Sequence, residues 1–207
     1  MKYEWRKQDK ALYLPIAQPT LIDVPEYSYF TLSGQGNPND EPFGEAIGVL
    51  YSLAYGVKML PKRAPEPPSY YDYTVFPLEG VWDLIDAAKA NIPFDKNNLK
   101  YTIMIRQPDF LTDELATSVV EYVKQKKPHN LLQHVKFEHV ADGLSLQMLH
   151  LGSYDDEPAS FALMQQYCDD NGYIRTEKIH KEIYLTDARR TEPEKQKTTL
   201  RFAVERK

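Results

Sequence analysis

The segment HKEIYLTD, residues 180–187, places a carboxylate and a phenol two positions apart. Its alternating pattern is typical of a β-strand, in which Glu182 and Tyr184 share one face. We expect Ile183 and Leu185 to pack against helices, with Glu182 on the side away from them. A carboxylate that aromatic rings shield from water has a raised pKa and can act as a general base. The segment therefore predicts acid–base chemistry on one face of a sheet, with a plain solvent-exposed face as the alternative.

A second segment, YYDYTVFPLEGVW at residues 70–82, holds more rings than one core face can accommodate. Its aromatic residues are Tyr70, Tyr71, Tyr73, Phe76 and Trp82. Because the side chains of a strand alternate between its two faces, some of these rings must line the open side of the sheet. We expect them to form walls beside Glu182 and to favour a flat, hydrophobic ligand. The strand register decides which tyrosine faces inward, so that choice stays open.

Two stretches of the chain, residues 36–56 and 152–172, align without a gap at an offset of 116 and are identical at seven of 21 positions. Average amino-acid usage would give roughly one or two identities by chance. An internal duplication is the simplest explanation. Each stretch has the pattern of a helix, with an Asp-Glu-Pro start and a closing glycine, Gly56 or Gly172. We therefore assign Asp156 and Glu157 to helix capping rather than to catalysis.

The elements that must position these residues form two β-α-β-β units. The predicted strands lie at 27–34, 70–78 and 99–107 in the first half and at 144–152, 180–187 and 198–206 in the second. A helix at 113–127 connects the halves, and a short helix at 83–91 is inserted in the first. We predict one α+β domain over residues 1–207, built from two pseudo-repeats at about 20–107 and 131–207. Their strands should join into one antiparallel sheet with helices on one side and a central ligand cleft.

Charge, hydropathy and cysteine content disfavour several classes of function. The net charge of −5 and the pI near 5.6 argue against nucleic-acid binding, which depends on clustered Lys and Arg. No stretch approaches the ~18 apolar residues of a membrane span, and the lone Cys168 forbids an internal disulfide. We therefore expect a cytoplasmic protein. His129, His134 and His139 are a poor match to one ligand face, and HExxH and paired CxxC motifs are absent, so we expect neither a metal nor a cofactor.

Residues 180–201, HKEIYLTDARRTEPEKQKTTLR, resemble the closing motif of GyrI-like small-molecule-binding proteins. The two Asp-Glu-Pro helix starts and residues 70–82 are similar to the same family. The resemblance covers the chain from about residue 20 onward, with Ala188 where many relatives have a proline. It implies a duplicated β-α-β-β fold with a central groove. In multidrug-responsive regulators of this family the domain follows a DNA-binding region, but fewer than about 20 residues precede the first repeat here, so we do not expect DNA-linked regulation.

The tyrosine-rich first half is similar to the stand-alone branch of the family that hydrolyses cyclopropanoid cyclohexadienones, which are strained electrophiles that alkylate DNA. This resemblance implies that the protein adds water to such planar, hydrophobic genotoxins and thereby protects the cell. Glu182 would be the base that activates water, and Tyr71 or Tyr73 would donate a hydrogen bond to the dienone oxygen. The residues predicted to line the binding site are Tyr73, Trp82, His150, Phe161 and Tyr184. For His150, a structural role is an equally good interpretation.

Other functions stay open. A passive module could sequester lipophilic or cationic drugs, with Glu182 supplying charge and the rings cation–π contacts. A gyrase-inhibitor-like protein would instead act by contacting a topoisomerase. We expect a hydrophobic planar small molecule as the partner, without nucleic acid or membrane, and leave open a homodimer that closes the groove.

Overall fold

The computed structural model of the chain describes residues 2–85 and 95–207. The helices are α1 (Trp5–Gln8), α2 (Lys10–Tyr13), α3 (Glu41–Lys58), α4 (Asp113–Lys126) and α5 (Glu157–Asn171). The strands are β1 (Thr20–Gln35), β2 (Leu78–Leu84), β3 (Leu99–Arg106), β4 (Lys136–Leu151), β5 (Tyr173–Arg175), β6 (His180–Tyr184) and β7 (Lys197–Arg206). The fold is therefore α+β with antiparallel strand pairing. None of the helices in these two ranges combines the length and the apolar character that a bilayer span needs.

The two aligned stretches of sequence lie in elements of matching position. β1 and β4 each have 16 residues, and β4 begins 116 residues after β1. α5 likewise begins 116 residues after α3. The predicted strands at 27–34 and 144–152 are thus parts of longer strands. The offset of these elements equals that of the aligned sequences, and the internal duplication stays a prediction.

The predicted strand at 70–78 is wrong. In this segment only Tyr73 forms a β-bridge, to Tyr3, and β2 begins at Leu78. Pro77 precedes that start and lacks the N–H that a ladder of hydrogen bonds requires. The helix predicted at 83–91 falls largely on residues 86–94, which lie outside the described residues, while positions 83 and 84 belong to β2.

The described residues form two compact units that interleave along the sequence. Unit 1 comprises Met1–Glu4, Tyr27–Leu78 and Asp83–Val140, and unit 2 comprises Trp5–Glu26, Glu79–Trp82 and Ala141–Lys207. The arrangement of one domain from two consecutive pseudo-repeats remains a prediction. All residues of the site discussed below that surround Glu182 belong to unit 2.

Unit 1 consists of a strand pair and two helices. The C-terminal part of β1 pairs antiparallel with β3, with Leu32 opposite Ile103. α3 contacts α4, and Gly56 allows this approach because a Cβ at that position would lie 3.0 Å from Val119 and 3.2 Å from Val123. The prediction that Gly56 ends the helix is wrong, since α3 continues to Lys58.

Unit 2 is built around β7. This strand pairs antiparallel with β6 along one edge and with β4 along the other. β2 pairs with β6, and β5 pairs with the end of β7. α5 packs its buried Met164 and Cys168 against Met148, Leu200 and Phe202 of the sheet. The helix ends at Gly172, whose φ of 72° is the left-handed conformation predicted for it.

Glu182 lies on the face of the sheet that packs against α5. It is directly opposite Leu200, and opposed residues of an antiparallel pair point to the same face. The expectation that Glu182 lies on the side away from the helices is therefore wrong. The Ile183 face is not open in unit 2, because the N-terminal segment covers it and Arg201 donates to the Leu12 carbonyl at 2.6 Å.

Three buried charged residues and the half-buried Asp142 interact on that second face. Lys181 Nζ lies 2.6 Å from Asp142 and 3.4 Å from Glu79, and Arg201 lies 3.0 Å from Asp142. Burial raises the pKa of Glu79, and Lys181 offsets this only in part. Burial also acts to raise the pKa of Asp142, but the charges of Lys181 and Arg201 outweigh it and hold that pKa below its usual value. These ion pairs join β2, β4, β6 and β7.

Candidate active site

Glu182 is held in the middle of three strands, opposite Gly80 on β2 and Leu200 on β7. Its side chain is nearly buried, with the residue 9% exposed. His180 Nε2 lies 3.0 Å from one carboxylate oxygen, and the Tyr184 hydroxyl donates to the other at 2.8 Å. Both neighbours share its face because they lie two positions away on the same strand. Glu182 and Tyr184, which were predicted to share one face, are thus joined by a direct hydrogen bond.

Trp82 sets the direction of the bond from Tyr184. The indole N–H of Trp82 donates to the Tyr184 hydroxyl at 2.8 Å, so the hydroxyl proton is left to point at Glu182. Gly80 leaves room for both side chains, since a Cβ there would lie 2.8 Å from Trp82 Nε1 and 3.0 Å from the Tyr184 oxygen. Burial and the neighbouring Glu182 raise the pKa of Tyr184. Tyr184 therefore remains a neutral donor to the carboxylate.

Glu157 is the functional candidate that the sequence analysis missed. It begins α5 and is only 6% exposed. Burial, followed by the charge of Glu182, raises the pKa of Glu157 to about 9. Its presumed partner in capping, Asp156, makes no side-chain capping bond and instead accepts a hydrogen bond from Ser153 at 2.8 Å. Asp156 therefore occupies the N-cap position without the side-chain bond of a capping group, and Glu157 is a buried acid of the first turn.

Aromatic side chains surround this pair of carboxyl groups. Phe161 meets the His180 ring edge-on, with the ring centroids 4.8 Å apart, and Tyr154 meets Tyr184 at 6.0 Å. A groove of about 720 Å³ opens beside them. Its lining residues are Pro158, Phe161, Gln165, Arg175, Thr176, Glu177, Lys178 and His180. His180 lines the groove and contacts Glu182, and Pro158 and Phe161 form the apolar part of the groove.

The carboxyl groups and His180 also form a set of ligand atoms. Glu157, His180 and Glu182 each offer one such atom, and these atoms lie within 4.8 Å of one another. A histidine with two carboxylates is a donor set that suits several divalent cations. The three residues come from α5 and β6, so no motif spacing indicates them, and the sequence prediction of no metal depended on such motifs.

The remaining predicted site residues are held by other contacts. His150 is buried and uses both ring nitrogens, at 2.9 Å from Ser160 Oγ and 2.9 Å from the Ser153 carbonyl. Both ring nitrogens of His150 are therefore used in contacts within the fold. Tyr71 and Tyr73 belong to unit 1, where their rings contact each other and Phe110.

The hydroxyls of these two tyrosines differ. The hydroxyl of Tyr71 accepts a hydrogen bond from the Asp109 backbone at 3.2 Å. That of Tyr73 is buried and has no hydrogen-bond partner among the described residues. Burial raises the pKa of Tyr73. Their predicted roles at the dienone oxygen stay predictions.

One further residue near Glu182 could have been found from sequence by the reasoning already applied to Tyr184. His180 lies two positions before Glu182, as Tyr184 lies two positions after it, so strand alternation alone puts all three on one face. Glu157 had no such signal, because an acid in the first turn of a helix is explained well enough by the helix dipole. Its burial against β6 is a property of the tertiary structure.

Comparison with known proteins gives a match over almost the whole chain. Residues 17–205 match the GyrI-like small molecule binding domain. A hydrolase from Listeria innocua is 32% identical, with a TM-score of 0.89 over 98% of this chain and 100% of that one. An uncharacterized conserved protein from Listeria innocua is 33% identical, with a TM-score of 0.90 and the same coverage of 98% and 100%.

A more distant structure shares the fold alone. The EcmrR C-terminal domain is 16% identical, with a TM-score of 0.53 over 95% of this chain and 99% of that one. No curated protein matches the chain significantly.

Proposed function

Because the chain belongs to the GyrI-like family of small-molecule-binding domains, we propose that it binds a flat, hydrophobic molecule and hydrolyses it with Glu182 as the general base. Binding of a small molecule follows from the family. A hydrolytic reaction is supported by the similar protein from Listeria innocua that is described as a hydrolase. Cyclopropanoid cyclohexadienones are the substrate class that the sequence resemblance favours.

The observation that carries this proposal is the environment of Glu182. The residue is 9% exposed, accepts a hydrogen bond from Tyr184 and contacts His180 at the border of a groove. A carboxylate with fixed orientation and little water around it can remove a proton from one bound water molecule. The adjoining Phe161 and Tyr154 rings suit a planar substrate.

The reaction adds one water molecule to the substrate. Glu182 takes a proton from water while the water oxygen forms a bond to a methylene carbon of the strained cyclopropane. The ring C–C bond breaks, and its electron pair moves into the dienone to give an aromatic phenolate. Protonation of the phenolate completes the addition. The driving force is the release of ring strain together with aromatisation, so the protein needs to position the reactants and stabilise charge.

The phenolate oxygen requires a hydrogen-bond donor. Tyr71 is predicted for this role from sequence. Tyr154 offers a second hydroxyl, in unit 2, where its ring lies 6.0 Å from that of Tyr184. Burial and the charge of Glu182 raise the pKa of Tyr154, so it remains a neutral donor. Separate Tyr71→Phe and Tyr154→Phe variants distinguish the two tyrosines. Only removal of the hydroxyl that donates to the phenolate should slow the reaction by ~10² or more.

The test is to incubate the pure protein with a spirocyclopropane cyclohexadienone and to measure the products by mass spectrometry. We expect a product heavier by one water, and a loss of rate by ~10² to 10⁴ in Glu182→Gln. Glu205→Gln, which removes an exposed carboxylate from the neighbouring strand β7, should retain the rate. An unchanged rate in Glu182→Gln would exclude Glu182 as the base.

Passive binding of a lipophilic cation is the second candidate. It is favoured by a buried carboxylate beside aromatic rings, since both attract an organic cation. In that case a tetraaryl cation would bind and be recovered intact, Glu182→Gln would weaken its binding, and the cyclopropanoid compound would show no turnover.

A further inference from the structure

Arg175, the last residue of β5, is a partly buried cation that forms no ion pair with a carboxylate among the described residues. Its guanidinium lies 4.4 Å from the centroid of the Phe202 ring and 5.6 Å from that of Phe161. Burial lowers the pKa of Arg175, although a guanidinium stays protonated at neutral pH. Because an unpaired charge away from water costs free energy, Arg175 is a candidate for binding a ligand that carries negative charge.

The hydrogen bonds of Arg175 fix its side chain but do not use all of its donors. Nε donates to the Glu177 carbonyl at 2.8 Å, and Nη2 donates to the carbonyls of Lys178 and Ile179. The N–H groups of Nη1 have no hydrogen-bond partner among the described residues. Since Arg175 also lines the groove beside Glu182, it offers that groove a donor whose position is set before a ligand binds.

Arg175 and Glu182 lie on the same face of the sheet. Arg175 is opposite Val204 of β7, and Glu182 is opposite Leu200 of the same strand. Opposed residues share a face, and two residues of one strand that are four positions apart do so as well. Four residues of a strand span about 13 Å. A positive charge and the proposed base therefore face α5 from places separated along β7.

The proposed reaction moves negative charge away from the base. The charge is on Glu182 at the start and on the dienone oxygen at the end, and that oxygen is at the opposite end of the ring from the cyclopropane. A group lowers the barrier if it is closer to the final position of the charge than to the first. The Phe161 ring contacts both the His180 ring, which lies beside Glu182, and the Arg175 guanidinium. A flat ring that extends along Phe161 from His180 thus brings its oxygen toward Arg175.

We propose that Nη1 of Arg175 binds the oxygen that becomes the phenolate, and that the groove selects planar molecules with an anionic or accepting oxygen remote from Glu182. The catalytic part rests on the proposed function, whereas the preference for phenolates does not. Glu182 takes the proton of water, the cyclopropane C–C bond breaks, and its electron pair reaches the oxygen, while Arg175 keeps its protons and compensates the charge. A tyrosine hydroxyl can donate to the same oxygen, but only the arginine supplies positive charge.

A purely structural role is the competing explanation, since Arg175 holds the backbone of residues 177–179. Variants that separate charge from folding distinguish the two explanations. Arg175→Gln keeps an N–H donor without the charge, and Arg175→Lys keeps the charge without the planar set of donors. Arg190→Met removes an exposed arginine after β6 and serves as the control.

The first arm of the test needs no turnover. Calorimetric titration at pH 8.5 compares 4-nitrophenol, which is then ionised, with the neutral 4-nitroanisole of similar shape. The wild type and Arg190→Met should bind the phenolate at least about tenfold more tightly than the anisole. In Arg175→Gln this preference should fall below about threefold, and Arg175→Lys should restore part of it. Equal binding of the two probes by the wild type, or an undiminished preference in Arg175→Gln, would overturn the proposal.

The second arm measures hydrolysis of the cyclopropanoid compound. Arg175→Gln should lower kcat by ~10² or more. The loss should be smaller for a substrate with a nitro group on the dienone ring, because that group already disperses the phenolate charge. An equal loss on both substrates would assign Arg175 a structural role and overturn its catalytic one.

The two arms also separate this proposal from the proposed function. A phenolate preference that Arg175→Gln abolishes, without turnover of the cyclopropanoid compound, would support the anion site and refute the proposed function alone. Hydrolysis by a wild type without phenolate preference would do the reverse.

Discussion

Replacing Glu157 with Gln should stabilise the protein at neutral and alkaline pH. Burial and the charge of Glu182 raise the pKa of Glu157 from its ordinary value of 4.5 to about 9 in the folded state. The unfolded chain therefore releases this proton near pH 4.5, while the folded chain keeps it. The contribution of the neutral acid to stability is complete below that pH and is lost progressively as pH rises toward 9.

The magnitude follows from the width of the pH window between the two pKa values of Glu157, 4.5 and about 9. Each pH unit within it costs about 1.4 kcal/mol in the free energy of unfolding. Between pH 4.5 and 7 the cost is therefore about 3 kcal/mol, and over the whole window it is about 6 kcal/mol. Solvent screening reduces this little, because Glu157 is only 6% exposed. A domain typically has ~5 to 15 kcal/mol of stability in total, so the effect is large enough to measure.

The assay is urea denaturation of the wild type, Glu157→Gln and Glu41→Gln at pH 5, 7 and 8.5. The difference between Glu157→Gln and wild type should grow by about 3 kcal/mol from pH 5 to pH 7 and continue to grow to pH 8.5. Glu41 is exposed at the start of α3, so its variant should differ from wild type by a constant amount. If the stability difference between Glu157→Gln and wild type is also constant with pH, the raised pKa of Glu157 is refuted.

Two further substitutions test the packing of unit 2 by urea denaturation. Gly80→Ala should lower the free energy of unfolding by about 1–3 kcal/mol because its Cβ would lie 2.8 Å from Trp82 Nε1. The control Gly44→Ala, in a helix with open space at that position, should raise it by about 0.5–1 kcal/mol. An unchanged stability of Gly80→Ala would contradict the close contact. Lys181→Met should cost about 3–5 kcal/mol because it removes the cation beside the buried carboxylate of Glu79. The exposed Lys195→Met should cost no more than about 1 kcal/mol. Equal effects of the two lysine substitutions would show that the buried network contributes no more than a surface pair.

Much of the secondary structure could be predicted because its signals are local. The strands at 99–107 and 198–206 and the helix at 113–127 agree with β3, β7 and α4 to within a residue or so. Gly172 ends α5 as predicted, since only a residue tolerant of positive φ fits there. Tyr71 and Tyr73 show the limit of such signals. Aromatic and β-branched residues indicated a strand at 70–78, but apart from one bridge this segment packs its rings without joining the sheet.

By itself the sequence determined that Glu182 and Tyr184 share a face, because alternation along a strand is a property of the backbone. It also determined the family, through motifs spread over most of the chain. Only the tertiary structure decided that this face meets α5 and that Glu157 lies there beside Glu182. Which side of a strand becomes buried depends on pairings with distant segments, and the alternation pattern is the same for either side.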